Sequence, residues 1–347
     1  MTVRIVSLLP SATEIVCALG LADALVGISH DCDFPPGVRG KPVLSEAIVG
    51  PSMPSPMIEA RIRGAVHTGR SVYHLDEAAL AGLAPDLIIT QELCTVCAPA
   101  YTLVRHAANL LAREPKLVSL EPHGLFDVLD NIMLIGELTG TARRARAVVD
   151  RLQGRIDAVR ARARATGVRP RVACLEWLDP IYVGGHWLPE MVEAAGGLDV
   201  LGHGREPSRV VGWEVVSAST PEVLMLMPCG FDLARTRREF PAMAARPGWC
   251  DLPSVRNGRV YLTDASSYFN RPGPRLVDGL EILASAIHPD AFAFKLPPRS
   301  LQRVSSRWRC GPTGPGDGRT QSPAAEREGG PRAKRGGTKR WRGSTPA

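Results

Sequence analysis

No apolar run in this chain approaches the ~18 residues that a membrane-spanning helix needs, which excludes a bundle of such helices. Glycine-rich phosphate loops are missing too: neither Gly184-Gly185 nor Gly196-Gly197 opens a strand-to-helix turn of the P-loop or dinucleotide type. There is no Gly-x-Ser-x-Gly elbow for a hydrolytic serine, and Asp31 and Asp33 have no nucleophile beside them to activate. Eight cysteines in 347 residues are too sparse for a disulfide scaffold and suit reduced thiols. Met1-Thr2-Val3-Arg4 runs straight into strand-like residues with no export signal as written, so the expected location is the cytoplasm, or the periplasm or membrane surface if the start is misassigned.

A basic charge is absent from most of the chain, despite a total of +7. Twelve Lys or Arg and three Asp or Glu lie from Arg299 onward, which leaves the rest at −2. The body therefore carries no electrostatic footprint for nucleic acid. The segment 299–347, rich in Gly, Pro, Ser and Arg, reads as a disordered basic tail.

What is present is a long amphipathic helix with similar material on either side. From Thr141 to Thr166, Ala145, Val149, Leu152, Ile156, Val159 and Ala163 recur at steps of four and three, while eight arginines and two aspartates fill the other faces. Thr141 can cap its start, and Gly167 and Pro170 end it. Before it come a strand at Val3–Leu9, a capping box at Ser11 and Glu14, a strand at Leu25–Ile28, loop over 40–70, a helix at Asp76–Leu83 and strands at Leu87–Thr90 and Lys116–Leu120. After it the grammar repeats, and STPEVLML (Ser219–Leu226) matches LAPDLIIT (Leu83–Thr90). The expected fold class is α/β, with two Rossmann-like lobes built on parallel sheets, one long helix joining them and a ligand cleft between. The lobes span 1–122 and 168–298, with connecting helices over 123–167.

Open α/β sheets bind ligands beyond the carboxyl ends of their strands. Those loops hold Pro10, Ser11, Thr13, Ser29, His30, Asp31 and Gln91 in the first half and Trp177, Tyr182, His186, Trp187, Trp213, Tyr268, Phe269 and Arg271 in the second. In a chain only 5% aromatic, this clustering suits a large flat ligand, although core packing would also use such residues. Cys94 and Cys97 form a CxxC after a strand, with His30 and Cys32 in the equivalent place in another loop. They could hold zinc, act as a thiol- or metal-dependent enzyme centre, or simply pack as reduced thiols.

The motifs IVSLLPSATE (Ile5–Glu14), SHDCDFP (Ser29–Pro35), Gly184–Gly197, Trp213–Met227 and YFNRPGPRLVDGL (Tyr268–Leu280) resemble the substrate-binding proteins of cobalamin and ferric-siderophore ABC importers, the vitamin B12 branch above all. The resemblance covers about Val3 to Phe292. It implies non-enzymatic binding of a corrinoid or siderophore by a monomer, for uptake or intracellular carriage, in a cleft that the rigid helix keeps largely pre-formed. It further implies ligand contacts at Phe34 and Trp213 and permease docking through Glu214, with Glu77 one residue from the matching position in the first lobe.

Overall fold

The computed structural model describes residues 3–50, 53–68, 71–92 and 101–305. The first lobe runs β1 (Ile5–Ser7), α1 (Pro10–Ala18), β2 (Leu25–Ile28), β3 (Ser45–Ala47), α2 (Ser55–His67), β4 (Tyr73–Leu75), α3 (Glu77–Leu83), β5 (Leu87–Thr90), α4 (Tyr101–Asn109) and β6 (Lys116–Ser119). Its sheet has the order β2-β1-β5-β6, with every pair parallel, and its buried runs of Val, Ile and Leu are what a sheet covered on both faces requires. Two helices follow, α5 (Leu125–Leu138) and α6 (Ala142–Ala165).

The second lobe contains β7 (Arg171–Leu178), β8 (Ile181–Val183), α7 (Leu188–Ala194), β9 (Leu198–Asp199), β10 (Arg209–Val211), α8 (Trp213–Ala218), β11 (Val223–Leu226), α9 (Leu233–Ala244), α10 (Pro253–Arg256), β12 (Val260–Thr263), α11 (Ala265–Tyr268), α12 (Leu276–Ile287) and β13 (Leu301–Arg303). Its sheet has a parallel centre, β7-β11-β12, flanked by antiparallel β8 and β10 on one side and β13 on the other. The two-lobed α/β architecture is therefore as expected, with antiparallel edges added to the second sheet.

Three local expectations need correction. Residues 40–70 are not mainly loop but contain β3 and α2, because Ile58, Ile62 and Ala65 give the helix an apolar stripe that the surrounding Pro, Gly and Ser obscure. The tail does not begin at Arg299: β13 pairs with β12 through backbone hydrogen bonds, which need no apolar periodicity. The rest of that segment, 306–347, lies outside the described residues. Finally, α1 has no capping box; it starts at Pro10, whose missing N–H costs a first turn nothing, and Glu14 points elsewhere.

The internal repeat has a physical basis. In each copy a helix ends on a left-handed residue, Ala84 (φ 43°) or Thr220 (φ 42°), followed by proline and an acid. The acid, Asp86 or Glu222, accepts the backbone N–H of the arginine that leads into the first strand, Arg4 (2.9 Å) or Arg171 (2.8 Å). The same arginine turns its guanidinium back to the helix-end carbonyl of Leu83 or Ser219, at 2.7 Å in both. One clasp, used twice, locks helix, turn and strand.

Helix α6 buries Ala145, Val148, Leu152, Ile156, Val159 and Ala163, with Val148 in the place expected for Val149. Thr141 does not cap it; its hydroxyl meets that of Thr139 at 2.9 Å. Arg144 donates to the Leu19 carbonyl at the end of α1 (3.1 Å), while Arg155 bridges Asp278 (2.6 Å) and Glu281 (2.8 Å) on α12. The helix is thus fastened to both lobes. Ile156→Ala is expected to lower the unfolding free energy by about 2–4 kcal/mol, and Arg143→Ala, on the exposed face, to change it by less than about 0.5 kcal/mol, as measured by urea denaturation.

Candidate ligand cleft

The carboxyl edges of the two sheets meet at four charges, three buried and one, Asp33, half-exposed. Glu14, in α1, is 2% exposed and receives a two-pronged contact from Arg275, at 2.6 and 3.0 Å. Arg271 pairs with Asp33, lies 3.8 Å from Glu14 and donates to the Ser266 hydroxyl (3.3 Å). Both acids belong to the first lobe and both arginines to the second, so the quartet ties the lobes together. Burial pushes the Glu14 carboxyl above its ordinary value, opposed by Arg275 and Arg271. The Arg275 guanidinium lies 4.1 Å from the centre of the Phe34 ring and 5.7 Å from that of Tyr268, a cation sandwiched between aromatics of the two lobes. Gly273 passes so close to α1 that a Cβ there would stand 3.3 Å from the Ser11 Cα.

A second contact zone lies where β7 and β11 end. Trp177 and Phe231 meet with ring centres 5.0 Å apart and, with Tyr182, form an apolar ledge. Helix α2 of the first lobe rests on it through Ile58, flanked by Met53 and Ile62.

Of the residues singled out by sequence, Phe34 (40% exposed) and the half-buried Tyr268 face each other across Arg275, and Arg271 joins the quartet. Pro10 and Ser11 open α1 beside Gly273, and the Ser11 hydroxyl is buried with no partner among the described residues. Ser29, Thr13 and Gln91 are buried at the same edge. His30 turns away, its Nδ1 3.0 Å from the Ser45 hydroxyl and its Nε2 3.4 Å from Asp31. Trp177 is 9% exposed beneath α2, and Trp187 donates its indole N–H to the Phe269 carbonyl (2.8 Å) as part of the main core.

Phe269 does not face a ligand: it is 0% exposed, one of the largest fully buried side chains, and neighbours Gly279 in the core. Trp213 opens α8, stacked on Trp249 and donating to the Pro247 carbonyl at 2.6 Å. His186 holds a left-handed backbone (φ 48°) with Nε2 buried and unpartnered among the described residues, and burial, aided by His123, lowers its pKa. Glu77 and Glu214 are exposed in the first turns of α3 and α8. Arg275, Glu14 and Asp33 were not marked as site residues by sequence; the four-residue spacing of Arg271 and Arg275 around a Pro-Gly-Pro turn is the one signal that could have found the pair.

The zinc expectation finds no support. Among the described residues no three His, Cys, Asp or Glu side chains are grouped to hold a metal. The Cys32 thiol lies 3.0 Å from the Thr13 hydroxyl and 3.1 Å from that of Ser29, and burial raises its pKa, so the thiolate a metal needs is disfavoured. Cys94 and Cys97 lie outside the described residues.

Glu14→Gln should cost about 3–5 kcal/mol of stability in urea, because it strands a buried guanidinium, and pairing it with Arg275→Met should recover part of that loss. His186 is held neutral, so its contribution is complete above the ordinary histidine pKa of ~6.5 and is lost as pH falls below it. Melting curves between pH 7.5 and 5 should show a shallower acid loss for His186→Asn than for the wild type.

A family model described as periplasmic binding protein matches residues 5–267. An uncharacterized ABC transporter substrate-binding lipoprotein of Bacillus subtilis is 24% identical over 295 residues, covering 83% of this chain and 81% of its own. A cobalamin-binding protein of Halobacterium salinarum is 26% identical over 297 residues, or 82% of this chain and 69% of its own. The solved periplasmic heme-binding protein of Pseudomonas aeruginosa shares the fold at a TM-score of 0.65 with 20% identity, covering 88% of this chain and 100% of its own. These findings overturn the cytoplasmic expectation, since the family is periplasmic and one relative is a lipoprotein. Cys250, which is disulfide-bonded, also suits an oxidising compartment, and sparse cysteines alone do not distinguish the two. With two lobes meeting at their carboxyl edges and a match across three-quarters of its length, the chain belongs to the periplasmic binding protein family and is a binding protein, not an enzyme.

Proposed function

We propose that this protein binds one cobalamin-like corrinoid between its lobes and delivers it to an ABC permease for uptake. The observation that carries this reading is the charge-compensated aromatic seam: Phe34 and Tyr268 flank Arg275, while Glu14 and Asp33 already neutralise the two arginines. A site with flat side chains and no net charge favours a broad ligand of low charge over an anionic ferric siderophore or the carboxylates of heme. The cobalamin-binding relative supports the same choice. For delivery, Glu77 and Glu214 offer an exposed carboxylate at the start of a helix in each lobe, on the elements that the internal repeat relates. Paired in this way they would orient the protein on basic residues of a permease and speed its encounter more than they would tighten it.

Adding cyanocobalamin to the purified protein should change its visible spectrum and saturate at one equivalent, and Phe34→Ala or Tyr268→Ala should weaken binding by about tenfold. A flat titration at micromolar protein would overturn the reading.

A further inference from the structure

From beside the antiparallel pair β3–β4 the first lobe sends out an arm whose described helix, α2, lies on the second lobe. Its foot is the antiparallel pair β3–β4, a two-stranded sheet separate from the two large ones, held at His30 by Ser45 and by the Tyr73 ring (5.3 Å). Its far end, α2, covers the ledge of Trp177, Phe231 and Tyr182. That ledge stands at the carboxyl ends of β7 and β11, where sheets of this kind present their ligand surface. With Ile58 seated there and Arg235 over the Phe231 ring, Trp177 is 9% and Phe231 3% exposed, which leaves little of either ring open to a ligand.

Towards its end α2 packs through Ala65 and Ile62 on Val72 and Tyr73 of its own lobe, and Arg61 donates to the Ile48 carbonyl (2.7 Å), whereas Ser55 and Glu59, in its first half, make polar contacts with the second lobe. The Ser55 hydroxyl donates to Glu239 (2.8 Å), and Arg235 donates to the Met53 carbonyl (2.6 Å) with its guanidinium 3.8 Å from the Phe231 ring centre. Tyr182 and Glu59 are 3.4 Å apart. The opposite face of α2 is exposed and carries the Arg63–Glu59 pair, so the helix is covered on one side only. Such a cover can leave without opening either lobe's core.

We infer that α2 is a displaceable cover of the aromatic ledge, and that a ligand held at the Phe34–Tyr268 seam extends onto that ledge when α2 lifts. This rests on the corrinoid-binding reading above and adds to it how the site is gated. A tethered competitor acts at high effective concentration, and the measured affinity is the intrinsic affinity multiplied by the fraction of molecules whose cover is lifted. Ligand binding and arm docking therefore exclude each other, and weakening the arm strengthens the ligand.

The test uses the full chain with cyanocobalamin as the probe and compares the wild type with Ile58→Ser. Two readouts are taken: the dissociation constant, and the hydrogen exchange of amides 55–67 with and without the probe. The inference expects about tenfold tighter binding by the variant, and faster exchange across 55–67 when the wild type is loaded. Equal or weaker binding by the variant, or slower exchange of 55–67 on loading, makes the arm a wall of the site and overturns the inference while leaving corrinoid binding intact. If neither protein binds cyanocobalamin although exchange shows the arm freed in Ile58→Ser, the corrinoid reading falls and the gating of a corrinoid falls with it.

Discussion

Everything in the cleft depends on four charges, of which Glu14, Arg271 and Arg275 have left water together while Asp33 pairs with Arg271 at the exposed rim. Glu14 from one lobe and Arg271 and Arg275 from the other are costly to bury singly, and together with the half-exposed Asp33 they offset one another. Because each acid needs a base from across the cleft, the quartet specifies one mutual placement of the lobes. Any large rotation would leave a carboxylate at 2% exposure without its guanidinium. The position of Phe34 and Tyr268 follows, since both rings pack against the same Arg275.

Helix α6 supplies the same constraint from the far side. Arg144 holds it to the end of α1, and Arg155 holds it to two carboxylates of α12. A continuous helix clasped to both lobes resists bending, and the quartet resists gaping. Gross hinge closure is therefore a poor means of admitting a ligand to this protein, and freedom at the cleft has to come from a smaller element. The arm bearing α2 is such an element, as it stands outside both large sheets.

The architecture was legible because its signals are local. Helix α6 follows from apolar spacing and its end from Gly167; the paired β5 and β11 follow from proline, acid and a buried run; and both are found within a residue or two of where those signals put them. Phe269 and Trp213 show the limit of such reading. Each is an aromatic that the sequence places in a loop at the ligand edge, yet the Phe269 side chain turns into the core and Trp213 opens helix α8 and stacks on Trp249, and no pattern in their neighbours records which way they turn. Glu14 illustrates it from the other direction: three residues after Ser11 it has the spacing of a capping box, but a buried arginine 261 positions away offers a stronger partner than a backbone N–H.

By itself, then, the sequence determined the α/β class, the two related halves, the long helix between them and the membership of a binding-protein family, because periodicity, turn chemistry and short motifs all act between residues near in the chain. Tertiary structure alone decided which charges pair across the cleft, that Trp177 and Phe231 lie beneath α2, and that a Pro-rich stretch at 40–70 carries a helix resting on the opposite lobe. Those outcomes depend on desolvation and on partners brought together from more than a hundred residues apart, and such partners are not written beside the residues they bind.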